Sequence, residues 1–265
     1  MNGKDLIKRS RLFTTIYRFL DEAVDIKKLV YLLPNGIYYV WSLVKYRRAL
    51  KNREKTGFEW YPQIHDRTAT TKVDPHYFYQ GYWAFERILS RKPEEHYDVG
   101  SQIDFVRYLS AVIRVIFIDI RPIELPLPNL KCVNGSILST GYPDNSVSSI
   151  SSLHVIEHIG LGRYGDPIDP DGSAKAAREM MRMLAPGGRL YISTPVGRPR
   201  VCFNAHLIRT PQQVVDLFAP LELVEFSIVG DDRRFIENAD ITKYDNSAYA
   251  CGMFVFTKSG KCSLI

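Results

Sequence analysis

Residues 180–197 read MMRMLAPGGRLYISTPVG, and this stretch decides the fold class. Its first residues end a segment, 173–184, that is rich in helix formers such as Ala174, Ala177 and Glu179. Pro186-Gly187-Gly188 stops this helix, and the apolar run at 189–193 is typical of a buried strand. A helix that leads through a tight turn into a buried strand is the repeating unit of a parallel sheet.

The same alternation of strand and helix continues on both sides of this stretch. The pattern predicts strands at 97–100, 115–119, 130–133, 146–153, 189–193, 221–229 and 250–257, and helices at 83–90, 105–113, 173–184 and from Thr210-Pro211 onward. The last two strands are expected to pair antiparallel at the sheet edge. The sequence therefore predicts an α/β, Rossmann-like fold with a mostly parallel seven-stranded sheet, an antiparallel edge and an N-terminal helical extension.

The positive charge of the chain is concentrated at its N-terminus. Residues 1–55 hold 13 Lys and Arg against 5 Asp and Glu, although the whole chain carries a net charge of only +6. An amphipathic helix is predicted at 5–24 and a second helix at 37–51. Two interpretations remain open: helices that pack on the domain with solvated lysines, or helices that contact an anionic membrane surface.

No signal peptide is expected, and the most apolar stretch, 29–44, is interrupted by Pro34 and shorter than the roughly 20 residues of a spanning helix. We therefore expect a cytoplasmic protein, with peripheral attachment to the inner face of a membrane as the alternative. The predicted organisation is a basic helical extension at 1–56, an aromatic-rich connector or lid at 57–90, a Rossmann-like domain at 91–258 and a tail at 259–265.

The four cysteines show no metal-ligand spacing, so the sequence predicts no zinc knuckle and no disulfide framework. They are Cys132, Cys202, Cys251 and Cys262. The expectation is reduced, mostly buried thiols and no metal site. The last four residues have the outline of a prenylation box, an interpretation set aside because Ser263 occupies an aliphatic position.

A glycine and an acid follow the first two predicted strands. Gly100 allows the backbone to approach a ligand at the carboxyl edge of the sheet. Asp119 comes 19 residues later, at the end of the next strand, where a carboxylate can accept hydrogen bonds from ribose hydroxyls. The pair indicates a cofactor that contains a nucleoside.

Four motifs carry a resemblance to a known superfamily. They are YDVG at 97–100, FIDI at 117–120, GYPDNSVSSISSLHVIEHI at 141–159 and MMRMLAPGGRLYISTPVG at 180–197. Together they resemble the class I S-adenosylmethionine (SAM)-dependent methyltransferases, especially those that modify small molecules and lipids. The chain is also similar to an uncharacterised methyltransferase-like family that shares the loop Tyr164-Gly165-Asp166-Pro167.

The resemblance implies SAM as the cofactor and assigns roles to individual residues. Asp98 and Gly100 would lie against the methionine part, Asp119 would hold the ribose, and Ser136 and Ile137 would contact the adenine. His154, at the end of the fourth strand, would face the methionine end and the substrate.

Two positions depart from the superfamily pattern. Gln102 stands where a second glycine is usual, and Ser136 stands where an aspartate is often found. Gln102 and Ser136 are still predicted to belong to the cofactor-binding set. Because both depart from the pattern, a non-catalytic methyltransferase-like binding module is an alternative.

The segment His154-Val155-Ile156-Glu157-His158 also matches an inverted zinc-protease motif. That motif requires one continuous helix, whereas here the first histidine ends a predicted strand, so the protease interpretation is rejected. A divalent cation at Glu157 and His158 is a minor alternative. A purely structural interpretation is that Glu157 caps the N-terminus of a helix.

The polar loop at 160–172 follows the fourth strand, where open α/β sheets place their substrates. Arg163 and Tyr164 are candidate substrate contacts. Asp166 is a candidate base, as are His154 and His158, and Asp169 is a further candidate to accept a substrate proton. The equal alternative is that Asp and Pro only shape turns in this loop. His206, after the fifth strand, is also a candidate substrate contact.

The predicted function is SAM-dependent methylation of an oxygen in a small or lipid-linked molecule, such as a sugar of a surface polysaccharide. The binding module is the second hypothesis. An RNA methyltransferase is the third, since the basic extension could bind phosphates, but its aromatic and apolar content makes a nucleic-acid partner the least favoured.

Overall fold

The computed structural model describes residues 16, 20, 25–50, 60–121 and 123–260 of the chain. The chain divides into two compact units, Met1–Lys72 and Val73–Ile265, so the boundary falls inside the predicted connector. Most of the predicted helix at 5–24 and the C-terminal residues 261–265 lie outside the described residues.

The first unit contains helix α1 (Ile26–Leu50). The helix begins eleven residues before the predicted start at 37 and continues through Pro34. Its apolar side chains are exposed, and six of them surround a shallow groove: Leu29, Leu32, Leu33, Ile37, Val40 and Trp41. In the part of the chain that the structure describes, no helix combines the length and apolarity needed to cross a membrane.

The second unit is built on one twisted sheet. Its strands and a separate hairpin are β1 (Glu95–Val99), β2 (Arg114–Asp119), β3 (Leu130–Asn134), β4 (Val147–Leu153), β5 (Leu184–Val196), β6 (Arg200–Cys202), β7 (His206–Ile208), β8 (Glu222–Val229), β9 (Phe235–Ile236) and β10 (Ala250–Thr257). The sheet order is β3-β2-β1-β4-β5-β10-β8-β9, while β6 and β7 form the hairpin. The strands β3, β2, β1, β4 and β5 are parallel, and β10 runs antiparallel to both β5 and β8.

The predicted antiparallel pairing of the last two long strands is confirmed, but β10 is not at the edge. It lies between β5 and β8, and the two-residue strand β9 adds an eighth strand outside β8. The strand containing Pro186-Gly187-Gly188 is also longer than predicted, because β5 already begins at Leu184.

Four helices cover the sheet: α2 (Pro75–Ser90), α3 (Ile103–Ser110), α4 (Gly172–Met183) and α5 (Pro211–Leu217); a short 3-10 helix spans Ile241–Lys243. The predicted start of α5 at Thr210-Pro211 is confirmed, with a full capping box between Thr210 and Gln213. The predicted start of α2 at residue 83 is wrong by two turns. Asp74 caps the helix by accepting the amide N–H of His76, and Pro75 occupies the first helical position.

Two apolar layers lie on opposite faces of the sheet. One packs α4 and α5 against the sheet, with Met180 and Phe218 as large members. The other packs α2 and α3 against it, with Trp83 and Leu109 among its buried side chains. Cys251 faces this second layer, because alternate residues of β10 point to alternate faces.

An ionic cluster anchors α2 to the sheet. The Glu225 carboxylate of β8 accepts the Trp83 indole N–H (2.9 Å) and the Arg87 guanidinium (3.0 Å). The same guanidinium also donates to Glu237 at 2.7 Å. Because Glu225 is mostly buried and Glu237 is half exposed, the first contact is the one that holds the helix.

We predict that Glu225→Ala lowers the free energy of unfolding by about 1–3 kcal/mol, since Trp83 and Arg87 lose a shared buried acceptor. Glu237→Ala, the matched control, should cost less than about 1 kcal/mol because its carboxylate is solvated. Urea unfolding followed by circular dichroism measures both values. Equal losses in the two variants would contradict the assigned anchor.

Candidate functional site

The carboxyl ends of β1, β2, β3 and β4 surround the main pocket of the second unit. The pocket has a cavity volume of about 110 Å³, and about 680 Å³ of non-atom space when its open mouth is included. Its lining includes Gly100, Asp119, Ser136, Ile137, His154, His158, Tyr164 and Asp166. Eight of the residues predicted from sequence to form the site thus surround one cavity.

Gly100 keeps the floor of this pocket open. Its φ of +65° is in the left-handed region, and a Cβ at this position would lie 3.1 Å from Cγ1 of Val155 and 3.8 Å from Oδ2 of Asp119. Gln102, two residues later, is exposed and does not line the pocket. The side chain of Gln102, which replaces the second glycine of the superfamily pattern, therefore does not enter the cavity.

Asp119 ends β2 beside this glycine. Its Oδ1 accepts the amide N–H of Arg121 at 2.7 Å, which fixes the carboxylate, while Oδ2 faces the Gly100 side of the pocket. A carboxylate held in this way can accept two hydrogen bonds from vicinal hydroxyls.

Ser136 and Ile137 lie after β3 on the opposite wall. Ile137 is buried and apolar, while the Ser136 hydroxyl oxygen accepts the amide N–H of Leu138 at 3.2 Å. The hydroxyl hydrogen of Ser136 can still donate, so this wall combines an apolar surface with one polar group.

Asp98 lies beneath the pocket and does not line it. Its carboxylate accepts the amide N–H (3.0 Å) and the hydroxyl (2.7 Å) of Ser101, and also the hydroxyl of Ser151. Burial raises the pKa of Asp98 to about 6 although these hydrogen bonds oppose the shift. The residue fixes the turn that contains Gly100, and it supports any ligand only through that turn.

A buried histidine extends this network across the sheet. His96 contacts the Ser149 hydroxyl through Nδ1 (2.7 Å) and the Ser151 hydroxyl through Nε2 (2.8 Å). Burial lowers the pKa of His96 to about 3, so the ring is neutral and carries a single N–H. Because Ser151 donates to Asp98, its oxygen is best matched by an Nε2–H of His96, and Ser149 then donates to Nδ1.

His154 is held in an unusual backbone conformation at the end of β4. Its φ is +54°, and its amide N–H donates to the Ser193 carbonyl at 2.9 Å. The ring Nδ1 lies 2.7 Å from Oε1 of the fully buried Glu157. Burial opposes protonation, but Cys251 and Glu157 raise the pKa of His154 well above its ordinary value.

Four of the six histidines of the chain gather at this end of the sheet: His76, His154, His158 and His206. The His76 ring lies nearly parallel to the His154 ring, with centroids 5.7 Å apart. Tyr249 contacts both His76 (5.3 Å) and His206 (5.0 Å) through its ring. Burial lowers the pKa values of His76, His158 and His206, so these three rings are poised to be neutral.

His158 offers a free lone pair to the site. Its Nδ1 lies 2.5 Å from the carbonyl oxygen of Ala205, which can only accept, so Nδ1 carries the proton. The lone pair of a neutral ring is then on Nε2, 3.8 Å from Oε1 of Glu157. This tautomer suits a group that accepts a proton.

The loop at 160–172 closes on itself. The Asp166 carboxylate accepts the amide N–H groups of Gly160 (2.8 Å), Gly162 (3.3 Å) and Tyr164 (3.2 Å), and although burial opposes the shift, these bonds lower its pKa. A Cβ on Gly160, with φ +89°, would lie 2.0 Å from the Asp169 carbonyl oxygen. The geometry favours the turn-shaping interpretation of Asp166 over its role as a base.

Of the other polar residues predicted in this loop, Tyr164 lines the pocket, whereas Arg163 and Asp169 do not. Tyr164 lies under the guanidinium of Arg121 at 4.2 Å and contacts the His158 ring at 5.6 Å. Arg163 donates to the Ala205 carbonyl at 3.2 Å. Asp169 pairs with Lys175 at 2.6 Å and is not part of the pocket lining.

Three residues of this site have no functional role predicted from the sequence. His76 lies in the predicted connector, Cys251 is predicted only as a reduced, buried thiol, and His96 has no predicted role. The signal for His76 was present in Asp74-Pro75, which is the same cap pattern that located α5. The proximity of Cys251 to His154 depends on long-range strand pairing and left no local signal.

Residues 139–258 match the model of a family described as "Caenorhabditis protein of unknown function, DUF268". None of the curated proteins compared with the chain matches it.

Among solved structures, the chain is similar to the [4+2]-cyclase SpnF, with 14% identity, a TM-score of 0.52, and coverage of 68% of this chain and 80% of SpnF. It also matches the N-methyltransferase NodS from Bradyrhizobium japonicum WM9 in complex with S-adenosyl-L-homocysteine, with 17% identity, a TM-score of 0.49, and coverage of 70% and 88%. A putative sarcosine dimethylglycine methyltransferase from Galdieria sulphuraria matches with 14% identity, a TM-score of 0.49, and coverage of 70% and 86%.

The sequence motifs predict a Rossmann-like fold, and the structure agrees with them in its sheet order β3-β2-β1-β4-β5-β10-β8 and in the antiparallel direction of β10. The likeness to the cyclase SpnF supports the same fold. The chain thus has the Rossmann-like fold of the class I SAM-dependent methyltransferases, with a segment similar to an uncharacterised family.

Proposed function

We propose that this protein is a SAM-dependent methyltransferase that acts on an oxygen of a small or lipid-linked molecule, such as a sugar of a surface polysaccharide. The observation that carries the proposal is the pairing of Gly100 with Asp119 across the floor of one pocket. When bound, SAM supplies a methyl group already activated on a sulfonium.

The residues present fit such a cofactor. The space that a Cβ on Gly100 would fill is left open, the fixed Asp119 carboxylate can accept the ribose hydroxyls, and Ile137 offers an apolar surface to the adenine. Since Gln102 is exposed, it does not obstruct the pocket, and this supports cofactor binding over the non-catalytic module.

His158 is the residue best suited to take the proton from a substrate hydroxyl. It lines the pocket, its Nδ1–H is committed to the Ala205 carbonyl, and its Nε2 lone pair is available. Methyl transfer requires mainly that the nucleophile is aligned and its proton removed. Tyr164, which lines the pocket, and Arg163, which contacts the Tyr164 ring, would orient the substrate.

The fold alone does not determine the reaction, as the similar structure named as a cyclase illustrates. An oxygen acceptor is part of the proposal, and the Nε2 lone pair of His158 at the pocket is suited to take a hydroxyl proton.

We expect the purified protein to bind SAM and S-adenosylhomocysteine with micromolar affinity in calorimetry. Asp119→Ala should weaken both about tenfold to a hundredfold, because it removes charge-assisted hydrogen bonds to the ribose. Asp216→Ala removes the same charge from an exposed site on α5 and should leave binding unchanged.

The absence of heat at millimolar ligand, with a folded wild-type protein, would overturn the methyltransferase proposal in favour of the binding module. Equal losses in the two variants would show that Asp119 does not hold the cofactor. Salt-sensitive retention on RNA would instead favour an RNA substrate.

We further propose that α1 lies on the surface of an anionic membrane, which would bring a lipid-linked substrate to the enzyme. Its exposed apolar residues include Leu33, Val40 and Trp41, and Lys28, Lys45 and Arg48 add positive charge along the same helix. An apolar helix with basic residues is suited to the interface between lipid headgroups and acyl chains.

We predict that the full chain sediments with phosphatidylcholine vesicles that contain phosphatidylglycerol, and less so as salt is raised. The double variant Leu33→Glu and Val40→Glu should abolish sedimentation, whereas Leu125→Glu, at an exposed site of the other unit, should not. Salt-independent binding, or equal losses in both variants, would contradict this role of α1.

A further inference from the structure

Three side chains from separate elements converge next to the pocket. They are His76 on α2, His154 at the end of β4 and Cys251 on β10. One ligand atom of each, either ring nitrogen of a histidine or the thiol sulfur, lies within 4.8 Å of the others. Among the described residues, these are the three side chains of metal-binding type, counting His, Cys, Asp and Glu, that lie close enough together to share an ion.

Two buried atoms in this cluster are unsatisfied. Nε2 of His154 and Oε2 of Glu157 have no hydrogen-bond partner among the described residues, although both side chains are almost completely buried. A buried polar atom without a partner is costly, so its presence calls for an explanation such as an ion. Nε2 is the atom of His154 that Glu157 leaves available, since Glu157 contacts Nδ1, and a proton on Nε2 would be released when an ion binds.

The chemistry of the set matches a transition metal. Two imidazoles and a thiolate are borderline to soft ligands, of the kind that select zinc. The Glu157 contact to Nδ1 of His154 reproduces the carboxylate-histidine-metal arrangement that orients metal-bound histidines. A divalent cation would also balance the negative charges of the Cys251 thiolate and the buried Glu157 carboxylate.

We propose that His76, His154 and Cys251 form a binding site for zinc, with Glu157 as the positioning residue behind His154. Tetrahedral zinc, with bonds of about 2.0–2.3 Å, keeps two nitrogens and one sulfur roughly 3.3–3.6 Å apart, so ligand atoms that lie within 4.8 Å of one another close by up to about 1.5 Å on binding. The half-buried His76 provides the movable ligand and the entry path. Three protein ligands leave a coordination position for water or a substrate oxygen.

Two other uses of these residues are less well supported. A cation held directly by Glu157 and His158 would compete with the His154 and Ala205 contacts that already orient those groups. A nucleophilic role for Cys251 requires access, but this side chain is fully buried. The zinc site extends beyond the proposed methyl transfer and does not depend on it.

The test uses the full-length protein, stripped with a chelator and titrated with Co²⁺ and then Zn²⁺. We expect one equivalent of Co²⁺ to bind with a thiolate-to-cobalt charge-transfer band, and Zn²⁺ to displace it and raise the melting temperature. Cys251→Ala should abolish the band, and His76→Asn should weaken binding at least tenfold. Glu157→Gln should keep the band but weaken binding about tenfold to a hundredfold.

Cys132→Ala and His206→Asn are the matched controls, since they remove a thiol and a nearby imidazole outside the proposed ligand set. Circular dichroism verifies that every variant is folded, and the half-buried His76 offers a substitution that spares the core. Absence of Co²⁺ binding, a band that survives Cys251→Ala, or a band lost in either control would overturn the site. SAM calorimetry on the stripped protein separates this result from the cofactor proposal.

Discussion

The site depends on one buried chain of hydrogen bonds that locks β1 against β4. His96 contacts Ser149 and Ser151, Ser151 donates to Asp98, and Asp98 holds both the amide and the hydroxyl of Ser101. The Ser101 oxygen in turn accepts the amide N–H of Leu153, the last residue of β4. These bonds fix the Gly100 turn and the position of His154 together, because neither strand end can shift without leaving a buried polar group unpaired.

A second constraint brings α2 to the same edge of the sheet. Gln80 lies one helical turn after His76 on the inner face of α2, and it accepts the hydroxyl of Ser193 on β5. That hydroxyl oxygen also accepts the amide N–H of His154 at 3.1 Å. Gln80 of α2 and the amide of His154 therefore bind the same serine, which positions His76 near His154. Glu225 anchors the next two turns of the helix through Trp83 and Arg87.

The site has two parts with different electrostatic character. Around Gly100 and Asp119, a carboxylate faces an open cavity that suits a nucleoside. Around His154 and Glu157, charge is buried among neutral imidazoles, tyrosines and a thiol, where a low dielectric strengthens each interaction. His154 and His158 line the cavity and also belong to the second part, so a ligand in the pocket would meet both.

The sequence predicted the seven strands β1 to β5, β8 and β10 in chain order, the Gly100–Asp119 pair and the cap of α5, because apolar periodicity, glycine turns and caps are local signals; it did not predict the short strands β6, β7 and β9. The start of α2 has an equally local signal in the cap pattern Asp74-Pro75, eight residues before the start predicted from apolar periodicity. Three features depend on the folded chain: Asp98 supports the Gly100 turn from below, Asp166 accepts hydrogen bonds from backbone amides, and Cys251 lies close to His154. These contacts join residues through a loop closure or distant strand pairing, and the energetic gain from such long-range packing leaves no periodic trace in the chain.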